Sequence, residues 1–241
     1  MIRVGTCGWS YAHWAGRWYP AGLPAAARLS DYASRLGSVE IDATFYRLPT
    51  ARAVRRWRDQ TPVGFVFAVK ASRTITHLRK LRAPKRSLAR FFGRMRALGS
   101  KLGPILFQLP PRWRCDPARL EAFLDVLPRG QRCAFEFRDP TWFDERVYAL
   151  LAARNAAFCV YDLGGCLAPA PLTADFVYLR LHGPGEPYAG NYSEARLREW
   201  AKMLRSWARG GRDVYCYFDN DENAYAARNA LRLNRLLARG R

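Results

Sequence analysis

Eight apolar runs of strand length recur along the chain, and their spacing restricts the fold more than any other feature. They are RVGTCG (3–8), VEIDATFY (39–46), FVFAVKA (65–71), PILFQLP (104–110), CAFEFR (133–138), AFCVYD (157–162), FVYLRLHG (176–183) and VYCYFDN (214–220). Most are rich in β-branched and aromatic residues and bounded by turn formers, the pattern of a strand. Helical periodicity fills most of the gaps. Residues 24–37 carry Leu29, Tyr32, Ala33 and Leu36 at three- and four-residue spacing. Residues 116–127 carry Leu120, Phe123, Leu124 and Leu127, with Asp116 as N-cap and Pro117 at the first helical position. A third helix is expected over 193–208, starting at Ser193, and a fourth over 222–238, with Tyr225, Leu231, Leu233 and Leu237 and a stop at Gly240. The link 163–175 has Gly and Pro and little period, which predicts a loop or one short turn.

Strands alternating with helices imply right-handed βαβ units and a parallel sheet. Eight such units in 241 residues match a (β/α)8 TIM-type barrel, typically ~250 residues. The alternative, a doubly wound open sheet, buries both sheet faces against helices and needs both to be apolar. Here one face of strand after strand turns polar towards its C-terminal end. No repeat or linker interrupts the series, so a single domain over 1–241 is expected.

The polar ends converge in such a barrel. Side chains alternate along a strand, so Phe176, Tyr178, Arg180 and His182 share one face. In a barrel, inward residues at the C-terminal strand ends surround one mouth. By the same alternation the second run offers Glu40, Asp42, Thr44 and Tyr46, the third Lys70, the fourth Gln108, the fifth Glu136 and Arg138, and the sixth Asp162. The eighth leaves open whether Asp219 or Asn220 points inward. Lys70, Arg138 and Arg180 suit a phosphate or carboxylate, as forks plus a point charge. His182 and a Glu136 of raised pKa are the natural base and acid. Glu40 is a third catalytic candidate, through a glycosidase-like pairing with Glu136. The plain alternative is a buried polar network that neutralises itself and does no chemistry. No metal site is assigned, because only His77 and His182 are well placed among the histidines. No cofactor is required, although a divalent ion such as magnesium on Asp and Glu stays open. Lys70 as a Schiff-base former is chemically allowed.

Charge adds a second signal. Forty basic residues stand against 20 acidic, a formal net charge of +20. Such an excess is the footprint of a nucleic-acid binder, but 35 of the 40 are arginine, which codon bias also produces. Codon bias does not explain why Gln60 to Cys115 contains no acidic residue while Arg73, Arg79, Lys80, Arg82, Arg112 and Arg114 are present. The expected partner is an anionic small molecule or a nucleic acid. The loop CGWSYAHWAGRWYP gathers Trp9, Tyr11, Trp14, Trp18 and Tyr19, which either staple the loop to the barrel or offer stacking faces. No 18-residue apolar run and no leader pattern precedes the first strand at Ile2, so a soluble, cytoplasmic protein without a membrane partner is expected. The six cysteines form no Cys-x-x-Cys pair and are expected as free thiols. Oligomeric state is not legible.

The motifs GTCGWSYAHWAGRWYP, VEIDATFYRLP, FAVKASRTITH, ILFQLPP, FEFRDPTWF, YLRLHG and YFDNDENAYAARNA, in this order from Ile2 to about Leu237, resemble the YecE-like family, the domain of unknown function seventy-two. The resemblance implies a TIM-type barrel and no established activity. The positions its motifs carry are Gly8, Trp9, Tyr11, Glu40, Tyr46, Lys70, His77, Gln108, Glu136, Arg138, Arg180, His182 and Asn220. Those outside the catalytic trio of Glu136, His182 and Glu40 are, Gly8 excepted, taken with Asp162 as candidate substrate contacts. Two departures show: Cys7 stands where the family usually has serine, and Asp42 where it usually has asparagine.

Overall fold

Eight parallel strands form the wall of a barrel in the computed structural model, which describes residues 1–82 and 85–239. They are β1 (Ile2–Thr6), β2 (Ser38–Ile41), β3 (Val66–Lys70), β4 (Leu102–Gln108), β5 (Cys133–Glu136), β6 (Ala157–Leu163), β7 (Phe176–Leu181) and β8 (Asp213–Phe218). Each pairs with its sequence neighbour from β2 to β8, and β8 returns to β1 over five positions, Ile2↔Val214 to Thr6↔Phe218. Only the β1–β2 seam lacks a ladder. There a single parallel bridge, Cys7↔Glu40, closes the ring, with the Gly8 N–H donating to the Glu40 carbonyl at 2.8 Å.

The rest of the seam is made by a side chain. Tyr32 inserts its hydroxyl between the two strands, accepting from the Thr6 N–H at 3.0 Å and donating to the Ser38 carbonyl at 2.9 Å. Gly5 permits this close approach, since a Cβ there would lie 2.0 Å from the Ser38 carbonyl oxygen.

The helices are α1 (Arg28–Ala33), α2 (Ala43–Tyr46), α3 (Ala51–Asp59), α4 (Lys85–Met95), α5 (Pro117–Asp125), α6 (Glu145–Ala153), α7 (Glu194–Arg209) and α8 (Tyr225–Ala238). The caps read from sequence are present. Asp116 accepts from the Arg119 N–H at 3.1 Å, and Ser193 from the Arg196 N–H at 3.2 Å. The first expected helix is shorter, a 3-10 turn over Ala25–Ala27 followed by α1. The Gly240 stop lies outside the described residues. Between β6 and β7 there is no helix; the chain turns back as a two-residue strand, Cys166–Leu167, antiparallel to the end of β6.

The second strand run needs correction. β2 stops at Ile41, and residues 43–46 form the one-turn α2. The Thr44 hydroxyl lies 2.8 Å from the Ile41 carbonyl and 2.6 Å from that of Lys70, so a local side-chain bond replaces the ladder. Strand parity ends there, and Tyr46 sits on α2 at 72% exposure rather than on an inward face.

Two apolar layers result. Inside the barrel lie Cys7, Ala68, Leu106, Ala134, Cys159, Tyr178 and Tyr217. Between strands and helices lies the larger core, including Phe107, Phe135, Phe137 and Trp142, whose successive rings are stacked. All six cysteines are free, and no described helix is long and apolar enough to cross a membrane.

Candidate functional site

Small residues on the inner face of β3, β5 and β6 leave room for long polar side chains above them, at the C-terminal ends. Arg180, one of the largest fully buried side chains at 1% exposure, occupies that space. One terminal nitrogen lies 2.9 Å from Glu136 Oε2; the other lies 2.9 Å from Glu40 Oε1, 3.0 Å from Asp219 Oδ2 and 3.3 Å from Cys7 Sγ. Glu40 also accepts from the Tyr178 hydroxyl at 2.7 Å. Glu136 is fully buried, and its other oxygen is bound by Arg138 Nε. His182 is held between two charges: its Nδ1 lies 2.9 Å from Asp219 Oδ2, and Arg138 reaches its Nε2 at 2.9 Å. Arg138 can only donate, so Nε2 is the acceptor in that contact, and Arg180 lies 3.4 Å from the same nitrogen. Arg138 in turn lies 4.7 Å over the ring of Tyr161.

The charges settle one another. Burial opposes ionisation of Glu136, but Arg138 and Arg180 override it and hold the carboxyl well below the usual range. Asp219 behaves likewise: burial disfavours its charge, and Arg180 and His182 restore it, lowering the pKa. Asp42 goes the other way. Burial, followed by the adjacent charges of Glu40 and Asp219, pushes its carboxyl well above the usual range. Burial also raises the Cys7 thiol well above its ordinary value.

This network revises several expectations. Glu136 is an ionised anchor for two arginines and not an acid of raised pKa. Arg180 is committed to three carboxylates and has no open fork for a ligand anion. Asp162 faces outward, because Ala157 and Cys159 take the inner face of β6; it accepts from the Tyr192 hydroxyl at 3.3 Å, behind the wall. Asp219 is the inward residue after β8. Asn220 points away and donates to the Gly190 carbonyl at 2.8 Å and to Asn229 at 3.0 Å. Lys70 and Gln108 do face the mouth, in phase with Ala68 and Leu106. Lys70 lies 4.7 Å from the ring of Phe45, with no carboxylate within 4 Å among the described residues. His77 packs on the same Phe45 ring at 4.9 Å, its pKa lowered by burial and then by Lys70.

The aromatic loop divides between its two expected roles. Trp14, Trp18 and Tyr19 are buried staples, Trp14 donating to the Asp221 carbonyl at 3.0 Å and Trp18 carrying the Arg35 guanidinium at 3.7 Å. Trp9 and Tyr11 instead line a groove of about 710 Å³ that runs outward from Asp42 between the loop and α3. Sequence reading left Asp219 open against Asn220 and missed Cys7 and the α3 face of this groove. The choice was within reach, since strand parity from Tyr215 and Tyr217 selects Asp219.

These features define a TIM-barrel protein with a buried ion-pair network beneath its C-terminal mouth. More narrowly, the chain belongs to the family described as "Protein of unknown function DUF72", which matches residues 3–241. It is 27% identical to the UPF0759 protein YunF of Bacillus subtilis, over 98% of this chain and 95% of that one. With the UPF0759 protein YecE of Escherichia coli K12 it shares 34% identity over 59% of this chain and 50% of that one. A crystal structure of a DUF72 family protein from Thermotoga maritima superposes with a TM-score of 0.89 at 28% identity, covering 99% of both chains. One from Enterococcus faecalis, at 20% identity, has the same fold with a TM-score of 0.84, covering 99% of this chain and 96% of that one.

Proposed function

We propose that the protein is an enzyme performing acid–base chemistry on an anionic, phosphate-bearing substrate at the C-terminal mouth. One observation carries this reading: the His182 imidazole has the Asp219 carboxylate 2.9 Å from Nδ1, and at Nε2 the Arg138 guanidinium at 2.9 Å with Arg180 beyond it at 3.4 Å. The Asp219 carboxylate beside the ring favours an imidazole that gains a proton, as a general base must. Arg138 is the removable part. A phosphate at the mouth draws its terminal nitrogen, and Nε2, left with the longer Arg180 contact, takes a proton. Lys70 supplies the second positive charge for the phosphate. Glu136, Glu40 and Arg180 hold the assembly rigid.

The test is a screen of phosphomonoesters, phosphodiesters, sugar phosphates and short oligonucleotides, with and without Mg2+ or Mn2+. Given turnover, His182→Gln lowers kcat about 10²–10⁴-fold, the usual worth of a general base, and Lys70→Ala raises KM. Absence of wild-type turnover on every class refutes the reading for those substrates.

A second reading, single-stranded nucleic-acid binding, draws on the distribution of charge. Arg73, Arg79, Lys80, Arg82, Arg112 and Arg114 are all exposed and follow β3 and β4, on the mouth side of the barrel. None has a carboxylate within 4 Å among the described residues. Binding to oligo(dT) is expected to weaken as salt rises. The triple reversal Arg79→Glu, Lys80→Glu, Arg82→Glu lowers the salt slope by about 2, at ~0.7 per contact. Indifference to salt and to reversal rules this reading out.

A further inference from the structure

The groove beside the mouth has a composition that the buried network does not account for. Its inner end is Asp42, at the C-terminal end of β2, and its walls are the loop after β1 and one face of α3. A volume of about 710 Å³ falls within the ~300–1,000 Å³ of small-molecule sites. Two half-buried tryptophans that line it, Trp9 from the loop and Trp57 from α3, touch edge to face with ring centroids 5.5 Å apart and form one aromatic surface. Arg52 and Arg56, one helical turn apart on α3, are exposed and line the same groove. Neither has a carboxylate within 4 Å among the described residues. From Ala43 to Cys115 the sequence contains one acidic residue, Asp59, and it pairs with Arg58, whose Nε lies 2.8 Å away.

From this we infer that the groove binds a mononucleotide-type ligand, its base stacked on the tryptophan pair and its phosphate held by Arg52 and Arg56. Aromatic faces beside unpaired guanidinium groups match a flat base carrying a terminal phosphate. The groove offers no carboxylate to repel that phosphate except Asp42, whose pKa burial raises and which lies on the β2 side away from Arg52 and Arg56. The ligand therefore points its base or sugar at the mouth and its phosphate at the rim. Binding in the groove is independent of the proposed chemistry; only the idea that this ligand is the substrate, or the recognition end of a longer one, rests on that reading.

Calorimetric titration with AMP, adenosine, inorganic phosphate and glucose 6-phosphate tests the inference. AMP is expected to bind at least tenfold more tightly than adenosine, phosphate or glucose 6-phosphate. Reversal of the two exposed charges, Arg52→Glu with Arg56→Glu, reduces AMP affinity at least tenfold and leaves adenosine unchanged. Trp57→Leu weakens AMP and adenosine together; should that variant misfold, Trp9→Leu repeats the measurement from the other ring of the pair. Equal affinity for AMP and adenosine, or AMP binding that survives the double reversal, overturns the phosphate assignment. Tighter glucose 6-phosphate than AMP overturns the base assignment. AMP binding lost in Lys70→Ala but kept in the double reversal places the ligand in the mouth and overturns the groove. AMP binding as expected without turnover on any phosphoester upholds the groove while the enzymatic reading fails.

Discussion

Replacing Arg180 by Met tests whether this arginine is a structural counter-charge or a ligand clamp. Met keeps most of the aliphatic stem and removes the guanidinium. Glu136 then retains Arg138, and Asp219 retains His182. Glu40, fully buried, is left with the Tyr178 hydroxyl and no cation within 4 Å among the described residues. Stranding one buried charge in this way costs about 3–5 kcal/mol. For a chain of this length that corresponds to roughly 6–20 °C in Tm. The loss depends on pH with a definite sign. A buried carboxylate without its counter-ion is penalised only while it is charged, so the variant is least stable at neutral pH and recovers towards acid. The assay is thermal unfolding followed by circular dichroism at pH 7.5 and pH 5.0, on the single variant and on Arg180→Met with Glu40→Gln. The gap to wild type is expected to narrow at pH 5.0, and the second substitution to restore more than half of it at pH 7.5. A single variant within about 2 °C of wild type, or a gap indifferent to both pH and Glu40→Gln, refutes the counter-charge and frees Arg180 for a ligand.

Two further outcomes follow from the seam and from Asp42. Tyr32→Phe leaves the buried Thr6 N–H and Ser38 carbonyl without their shared partner. It should cost about 1–3 kcal/mol and speed hydrogen exchange at the Thr6 amide; unchanged protection there contradicts the plug. Asp42→Asn replaces this carboxyl by a neutral group of the same shape. Because the folded pKa of Asp42 is raised, its wild-type contribution is greatest at low pH and is lost as pH rises above about 4. The variant therefore gains Tm relative to wild type between pH 4 and 7, and a constant difference refutes the raised pKa.

The barrel was legible because its evidence is periodic. Eight runs, their spacing and the caps at Asp116 and Ser193 needed only local rules, and all eight strands are present. Parity also located Glu40, Lys70, Gln108, Glu136, Arg180 and His182 correctly on the inner face. It failed where the backbone left the strand. Thr44 ended β2 through its own hydroxyl, which carried Tyr46 to the surface. In β6 alternation alone leaves two phases open, and the structure takes the one with Cys159 inward, its thiol 3.7 Å from Glu136 Oε2, and Asp162 outward. Protonation was the least legible property. Whether Glu136 or Asp42 carries a proton depends on which side chains from other strands surround it, and no spacing within one strand records that. The α3 side of the groove was hidden for a related reason: Trp57 meets Trp9 only once the chain is folded, and Arg52 and Arg56 reach the groove from the same helix.

The seam also sets an order for biosynthesis. β1 makes its continuous ladder with β8, more than two hundred residues later, and touches β2 through one bridge. While the chain emerges from the ribosome, β2 to β7 can pair in sequence, each with the strand before it. The first strand meets β2 only through that bridge and the Tyr32 hydroxyl, and stays without a ladder until residue 218 is clear of the exit tunnel. Because Asp219 follows directly on β8, one carboxylate of Arg180 and the neighbour of His182 Nδ1 arrive last, whereas the groove is lined by residues 8–60 alone. A nascent chain halted before β8 is thus a stack of strands with an open edge on each side, and closure of the ring and completion of the site are the same late event.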